Sequence, residues 1–215
     1  MTMQDIHAHI LPGVDHGARD LNESLAMLDA AKAQGIGRII ATPHVYRADY
    51  DRSIAQKAKE ILLPHAQQRG IELQLGYEFN IRALDQTAVE KAAQFCTEGT
   101  KTLLLEMPFD IWPIDWREKI YALQAYGMEI VLAHPERYEP VQHDLKLLER
   151  LAELDVLFQV DVPQSLKLFT KQRKVLKRLC EMHCLHFAAS DAHTAQDYAA
   201  FAGSVRKLGD CLIMP

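Results

Sequence analysis

In the stretch Asp5-Ile6-His7-Ala8-His9-Ile10-Leu11-Pro12-Gly13-Val14-Asp15-His16-Gly17, four metal-capable side chains, His7, His9, Asp15 and His16, follow an apolar opening. Imidazole nitrogens and carboxylate oxygens are ordinary ligands of divalent transition metals. Side chains two apart on a strand share a face. His7 and His9 are therefore expected to point the same way and hold one cation together, with Ile6 and Ala8 turned into packing. The Pro12-Gly13 pair redirects the backbone, so that Asp15 and His16 can fold back over the strand end. An isolated His-x-His is also compatible with an ordinary strand. The rest of the chain favours a site, because acidic or imidazole side chains end the later apolar runs: His44, Glu78, Glu106, His134, Asp161, and then Asp191 with His193. Six of the ten histidines stand in such places, the others being His65, His143, His183 and His186. Burying that many ionisable groups together is prohibitively costly unless cations neutralise them.

The elements that must position these residues are legible as alternating patterns. After the opening strand, helical spacing with Leu21, Leu25, Leu28 and Ala31 on one face predicts a helix over 21–34 that Gly35 stops. Strands are predicted at 39–41, 71–77, 102–105, 129–133, 156–160 and 185–189, and helices at 51–69, 84–95, 115–126, 144–154, 165–183 and 195–208, with Pro64 expected to bend or divide the second helix. Seven strand-helix units in strict alternation argue for α/β architecture, with a parallel sheet, crossover helices and an almost complete barrel. In such barrels the chemistry sits at the carboxyl ends of the strands, where the candidate residues fall.

Hydrophobic residues make up 48% and charged residues 25% of the 215-residue chain, with no low-complexity tract or dividing linker, so one domain over 1–215 is expected. The net charge of −5 gives no support to nucleic-acid binding. No run is long and apolar enough for membrane insertion and no signal peptide is apparent, so a cytoplasmic protein is expected. The cysteines at 96, 180, 184 and 211 lack a disulfide-framework spacing and suit a reducing compartment. Cys180, His183 and Cys184 fall within one helical turn and are read as packing and surface residues rather than a zinc clip.

The motifs DIHAHILPGVDHG at 5–17, ATPH at 41–44, GYE at 76–78, LLLE at 103–106, AHPERY at 133–138, FQV at 158–160 and SDAH at 190–193 run almost from end to end. In that order and spacing the chain resembles the polymerase-and-histidinol-phosphatase (PHP) superfamily, and within it the manganese-dependent tyrosine phosphatases of bacterial capsule and exopolysaccharide loci. The resemblance implies a distorted seven-stranded (β/α)7, TIM-like barrel holding three divalent ions, with Mn favoured and Fe or Zn as alternatives. It further implies that His7, His9, Glu78 and Asp191 bind the first ion, that Glu78 bridges to a second held by Glu106 and His134, and that His16, His44 and His193 take the third. His16 stands where the capsule-type enzymes usually carry Asp, and no arginine follows His193 before Arg206, where the family commonly supplies one for phosphate.

The implied chemistry is phosphomonoester hydrolysis, with a metal-bound hydroxide attacking phosphorus in line. Arg137, three residues beyond His134, is placed to fork onto the phosphate beside His44 and His193, its plainer role being an ion pair with Glu136 or another nearby carboxylate. The implied partner is a phosphotyrosine protein, in the first place a tyrosine kinase of polysaccharide synthesis or export. Two other readings are a small-molecule phosphatase, such as one acting on histidinol phosphate, and a metal-binding regulator without turnover. Cysteine-based phosphatase chemistry is not supported, since no cysteine has Arg six positions later, and no Gly-x-Ser-x-Gly elbow suggests serine hydrolysis.

Overall fold

The apolar runs form strands, and every ladder between them is parallel. The computed structural model describes residues 3–47, 49–86 and 88–213. Among these, the strands are β1 (Met3–Ala8), β2 (Ile36–Ala41), β3 (His44–Val45), β4 (Glu72–Leu75), β5 (Glu78–Asn80), β6 (Thr102–Glu106), β7 (Glu129–Leu132), β8 (Leu157–Asp161) and β9 (Leu185–Ala189). The helices are α1 (Leu21–Ala33), α2 (Arg52–Gln68), α3 (Val89–Ala92), α4 (Trp116–Ala125), α5 (Glu139–His143), α6 (Lys146–Ala152), α7 (Lys171–Glu181) and α8 (Phe201–Leu208). One sheet has the order β1-β2-β4 and the other β3-β5-β6-β7-β8-β9.

Nine strands in two sheets stand where the sequence led to an expectation of seven. The two additional strands arise where single apolar runs break. Pro43 has no N–H to give a ladder, and β2 stops before it while β3 begins just after it. Gly76 interrupts the next run between β4 and β5, at a place where an added Cβ would stand 2.9 Å from Thr97 Oγ1 and 3.0 Å from Ile40 Cγ2. Across the breaks, Glu78 N–H donates to the Pro43 carbonyl at 3.1 Å, and the β3–β5 register sets His44 opposite Glu78. The sheets also meet near the other chain end, where His9 N–H donates to the Ala192 carbonyl and Asp191 N–H to that of His7, at 2.8 and 3.0 Å.

His7 and His9 point the same way as expected, their Nε2 atoms 3.3 Å apart, but the pairing of β1 is irregular. Its register with β2 shifts between Asp5 and Ala8, so Ile6 packs with Leu104 and Val131 while Ala8 joins the main core. The strand ends at Ala8, and His9 lies just beyond it. An irregularity of this kind re-aims a side chain beside a site.

The helices cover the sheets with apolar faces. Asp20 caps α1 by accepting from Glu23 N–H, and the helix buries Met27, Leu28 and Ala31, each fully enclosed Met or Leu contributing about 1.5–3 kcal/mol. Pro64 lies inside α2 without dividing it, because Leu62 and Ala66 on either side are buried. The helix expected over 84–95 is instead a 3-10 turn at Ile81–Gln86, the short α3 and a second 3-10 turn, while Thr87 lies outside the described residues. The helix expected at 195–208 is likewise divided, with Ala200 in the left-handed region before α8. Cys180 and Cys211 are joined as a disulfide with Cα atoms 4.8 Å apart, against the expectation of four unpaired cysteines; the chain end folds back so that Ile213 N–H donates to the Leu185 carbonyl. No described helix is long and apolar enough to cross a membrane.

Gly17 marks the closest backbone approach near the site: a Cβ there would stand 2.0 Å from the His9 carbonyl oxygen and 2.5 Å from its Cβ. Gly17→Ala is expected to destabilise the protein by about 2–3 kcal/mol, measured as a lower midpoint in urea unfolding. An unchanged midpoint would show that the loop yields without cost.

Candidate metal centre

The strand ends deliver their ionisable side chains to one point. His7, His9, Glu78, Glu106 and His134 are each 2% exposed or less. Nε2 of His7, Nε2 of His9 and Oε2 of Glu78 form a triangle with separations of 3.3, 3.3 and 3.4 Å. Asp191 Oδ1 completes a second triangle on the same histidine pair, 3.3 Å from His7 and 3.1 Å from His9. A tetrahedral shell of bonds about 2.0–2.1 Å long has edges of about 3.3–3.4 Å, so these spacings suit ligands of a single small cation.

Glu78 also reaches outward. Its Oε1 is 2.8 Å from His134 Nε2, and its Oε2 is 2.8 Å from His44 Nδ1. The His44 contact is out of line for a hydrogen bond, leaving both His44 ring nitrogens and Glu78 Oε2 buried without such a partner, as is His134 Nδ1. Buried lone pairs that converge with nothing donating to them are the arrangement a cation satisfies. The groups within ligand reach are His9, His44 and His193; His7, His134 and Asp191; His7, His9 and Glu78; and His44, Glu78 and Glu106.

This grouping differs in part from the ligand sets implied by resemblance. Glu106 converges with His44 and Glu78 rather than with His134, and His134 with His7 and Asp191. His16 lies at the outer edge: its Nε2 is 2.9 Å from that of His193 and its ring 4.7 Å from that of His44, but it joins none of the converging groups. Cys180, His183 and Cys184 also belong to no such group among the described residues.

Several residues that hold the candidate ligands were not assigned a role from the sequence. Gln159 Oε1 accepts from His7 Nδ1 at 3.0 Å, and Asp15 Oδ2 accepts from His9 Nδ1 at 2.7 Å, turning each Nε2 toward the centre. Asn80 donates to Glu106 at 2.8 Å, while Ser190 donates from its backbone and hydroxyl to Asp5, steadying the segment that carries Asp191. Asp15 was noticed only as a possible ligand, and Gln159 only as part of a motif, since hydrogen bonding across 152 residues leaves no local signature. Arg137 pairs through Nη1 with Asp161 and Asp191, not with Glu136, and its guanidinium lies 4.9 Å from the Phe109 ring. Glu136 instead accepts from the Asp161 backbone at 2.8 Å.

The electrostatics follow from this crowding. Burial opposes charge on His7, but Glu78 and Asp191 outweigh it and push the imidazole up to about 10. Burial likewise favours neutral Glu78, yet the facing histidines hold it well below the usual range; Asp191 is lowered for similar reasons. Asp15 falls to about 2, the burial effect being overcome by its bond to His9. Glu106 is raised by burial and by the charge of Glu78. His16 and His193 are lowered by burial and neighbouring imidazoles, which keeps their nitrogens free to act as ligands. His134 and Asp191 both have left-handed backbone, with φ of 32° and 47°.

A parallel α/β fold with clustered imidazoles and carboxylates at its strand ends defines a metal-binding protein of the kind that works from the carboxyl edge of its sheets. The chain belongs to the capsular polysaccharide synthesis CpsB/CapC family, which it matches over residues 3–203. It is 36% identical over 199 residues to the tyrosine-protein phosphatase YwqE of Bacillus subtilis, covering 90% of this chain and 78% of that protein. It is 32% identical to the putative tyrosine-protein phosphatase CapC of Staphylococcus aureus, covering 89% and 77%. A crystal structure from work on YwqE of B. subtilis and CpsB of Streptococcus pneumoniae, described as metal-dependent tyrosine phosphatases, aligns with a TM-score of 0.80 and 31% identity over 97% of this chain and 88% of the other. A β-aspartyl dipeptidase from Fervidobacterium islandicum, 9% identical with a TM-score of 0.59 over 97% of this chain and 67% of the other, shares the fold alone.

Two measurements follow from the site. Asp15→Asn is expected to weaken divalent-metal binding about ten- to a hundredfold in a calorimetric titration, since the charge that orients His9 is lost; unchanged affinity would count against that role. For protein stripped by a chelator, His7 contributes stability below its ordinary 6.5 that is lost as pH rises through about 10. The melting temperature of stripped protein is therefore expected to fall across that window and reloading with Mn to flatten the slope. Parallel slopes in both forms would contradict it.

Proposed function

We propose that the chain is a metal-dependent protein-tyrosine phosphatase acting on a phosphotyrosine protein, in the first place a tyrosine kinase of polysaccharide synthesis or export. The observation that carries this reading is buried Glu78 facing His7, His9, His44 and His134, with Arg137 at the rim of the same cavity. Family membership and the printed activities of the relatives support it.

In this reading three divalent ions, Mn favoured, are shared among His7, His9, His16, His44, Glu78, Glu106, His134, Asp191 and His193. When bound, they supply Lewis acidity and a water of lowered pKa. Residues 1–215 act as one metallophosphoesterase domain, and the two sheets form the distorted barrel of the PHP fold.

The chain's own residues do the positioning. Arg137 is anchored by Asp161 and Asp191 through Nη1, while its Nε and Nη2 have no hydrogen-bonding partner among the described residues and can fork onto phosphate oxygens. His44 and His193 line the same cavity, where they would flank a phosphate held by Arg137. Asp161, tied to Gln159 and through it to His7, keeps the arginine in register with the ligands. Beside this centre, a cavity of about 470 Å³ lined by Arg137, Asp161, Gln164, Asp191, His193 and Gln196 leaves room for polypeptide next to the phosphorylated side chain.

The test is phosphate release from matched phosphotyrosine and phosphoserine peptides after reconstitution with Mn, Fe or Zn. Faster release from phosphotyrosine is expected, because a phenolate of pKa near 10 leaves more readily than an alkoxide. Arg137→Lys should lower kcat/KM about tenfold or more, since a point charge cannot reproduce the planar fork. Absence of release with every metal, or equal rates on the two peptides, would overturn the reading.

A further inference from the structure

The cavity over the metal ligands has two aromatic walls that ligand chemistry does not require. Tyr46 and Phe109 line it together with His16, His44, Glu78, Glu106, His134, Arg137, Asp191 and His193. Each ring is stacked on a candidate ligand. Tyr46 lies 4.8 Å from the His44 ring at 22°, and Phe109 lies 5.6 Å from the His134 ring at 21°. Those histidines face different oxygens of one carboxylate, His44 facing Glu78 Oε2 and His134 facing Oε1. The two rings are thus carried on histidines that approach the centre from either end of the Glu78 carboxylate.

Both rings remain open to solvent, Tyr46 at 52% and Phe109 at 41% exposure. Bracing an imidazole needs only apolar bulk, which a buried aliphatic side chain supplies. An exposed aromatic ring has in addition an edge, or a face not already covered, available to a further ring. Phe109 is also fixed by Tyr138, 5.8 Å away, and by the Arg137 guanidinium over its face, so it is pre-positioned rather than loose. Arg137 and both rings line this one cavity, so a phosphate ester engaged there by Arg137 would have its substituent beside the rings.

We infer that Tyr46 and Phe109 form a slot that receives the aryl group of an aryl phosphomonoester and select it over an alkyl one. The inference rests on the phosphatase reading and assigns part of its preference for tyrosine to ring contact, in addition to leaving-group acidity. An aromatic pair makes about a three- to tenfold difference in affinity for each ring engaged. Both residues act on substrate binding and leave the ligand set as it is.

Non-hydrolysable phosphonates separate ring contact from leaving-group chemistry. Inhibition of the metal-loaded protein by phenylphosphonate and by methylphosphonate is measured for wild type, Tyr46→Leu, Phe109→Leu and the double variant, with metal content determined for each. The wild type is expected to bind the phenyl compound about tenfold or more tightly, and each Leu variant, which keeps apolar bulk, to lose about three- to tenfold of that preference. Phe109→Tyr, which returns a ring, should restore preference lost in Phe109→Leu. A phenyl-to-methyl ratio that is near unity in wild type, or unchanged in the double variant, would overturn the inference, including the case where both inhibitors weaken equally because the rings merely brace the histidines. Failure of the phosphatase reading is seen separately, as wild-type protein that releases no phosphate from any peptide.

Discussion

The carboxylate of Glu78, 1% exposed and faced by the ring nitrogens of His7, His9, His44 and His134, is the group around which the rest of the structure is arranged. An ionised carboxylate is removed from water at great cost unless positive charge and hydrogen bonds replace its hydration. The surroundings meet that demand by concentrating donors and ligands on it. They also explain the broken strands: one uninterrupted ladder through Pro43 and Gly76 would not place His44 and Glu78 side by side on a second sheet. What looks like irregularity in the sheets is the geometry that closes the site.

An outer ring of polar side chains keeps the inner one in place. Asp15 holds His9, Gln159 holds His7, Asn80 holds Glu106 and Asp161 holds Arg137. Gln159 and Asp161 are themselves bonded at 2.9 Å, so Arg137 and a candidate metal ligand share one support. Displacing either would be felt by both, which is the structural meaning of a site whose members are not independent.

Much of this was legible in the sequence, for specific reasons. Apolar runs ending in His, Glu or Asp identify strand ends whatever the details of the sheet, and the helical faces of α1, α4 and α7 repeat with the expected spacing. The stop before Pro43 was legible, but not the resumption of pairing at His44, and the break at Gly76 was hidden because residues 71–77 read as one continuous strand. The shift in β1 was hidden by a regular-looking alternation, and only pairing with β2 reveals it. Which ligands share an ion is not set by the strand ends alone. Sequence shows which side chains arrive at a strand end, but whether Glu106 stands nearer His44 or His134 depends on rotamers and on Asn80 from another strand.

The backbone at His134 and Asp191 carries a further consequence. Both residues adopt positive φ, at a cost of about 1–3 kcal/mol for His134 and less for Asp191, whose short polar side chain tolerates that region better. Glycine would relieve that strain at either place but would remove the imidazole or the carboxylate. Asparagine at 191 would keep the backbone content and give up the charge. Selection for thermal endurance and selection for turnover therefore pull these two positions in opposite directions, so the molecule's reserve of improvable stability lies partly at places it cannot spend without losing its chemistry.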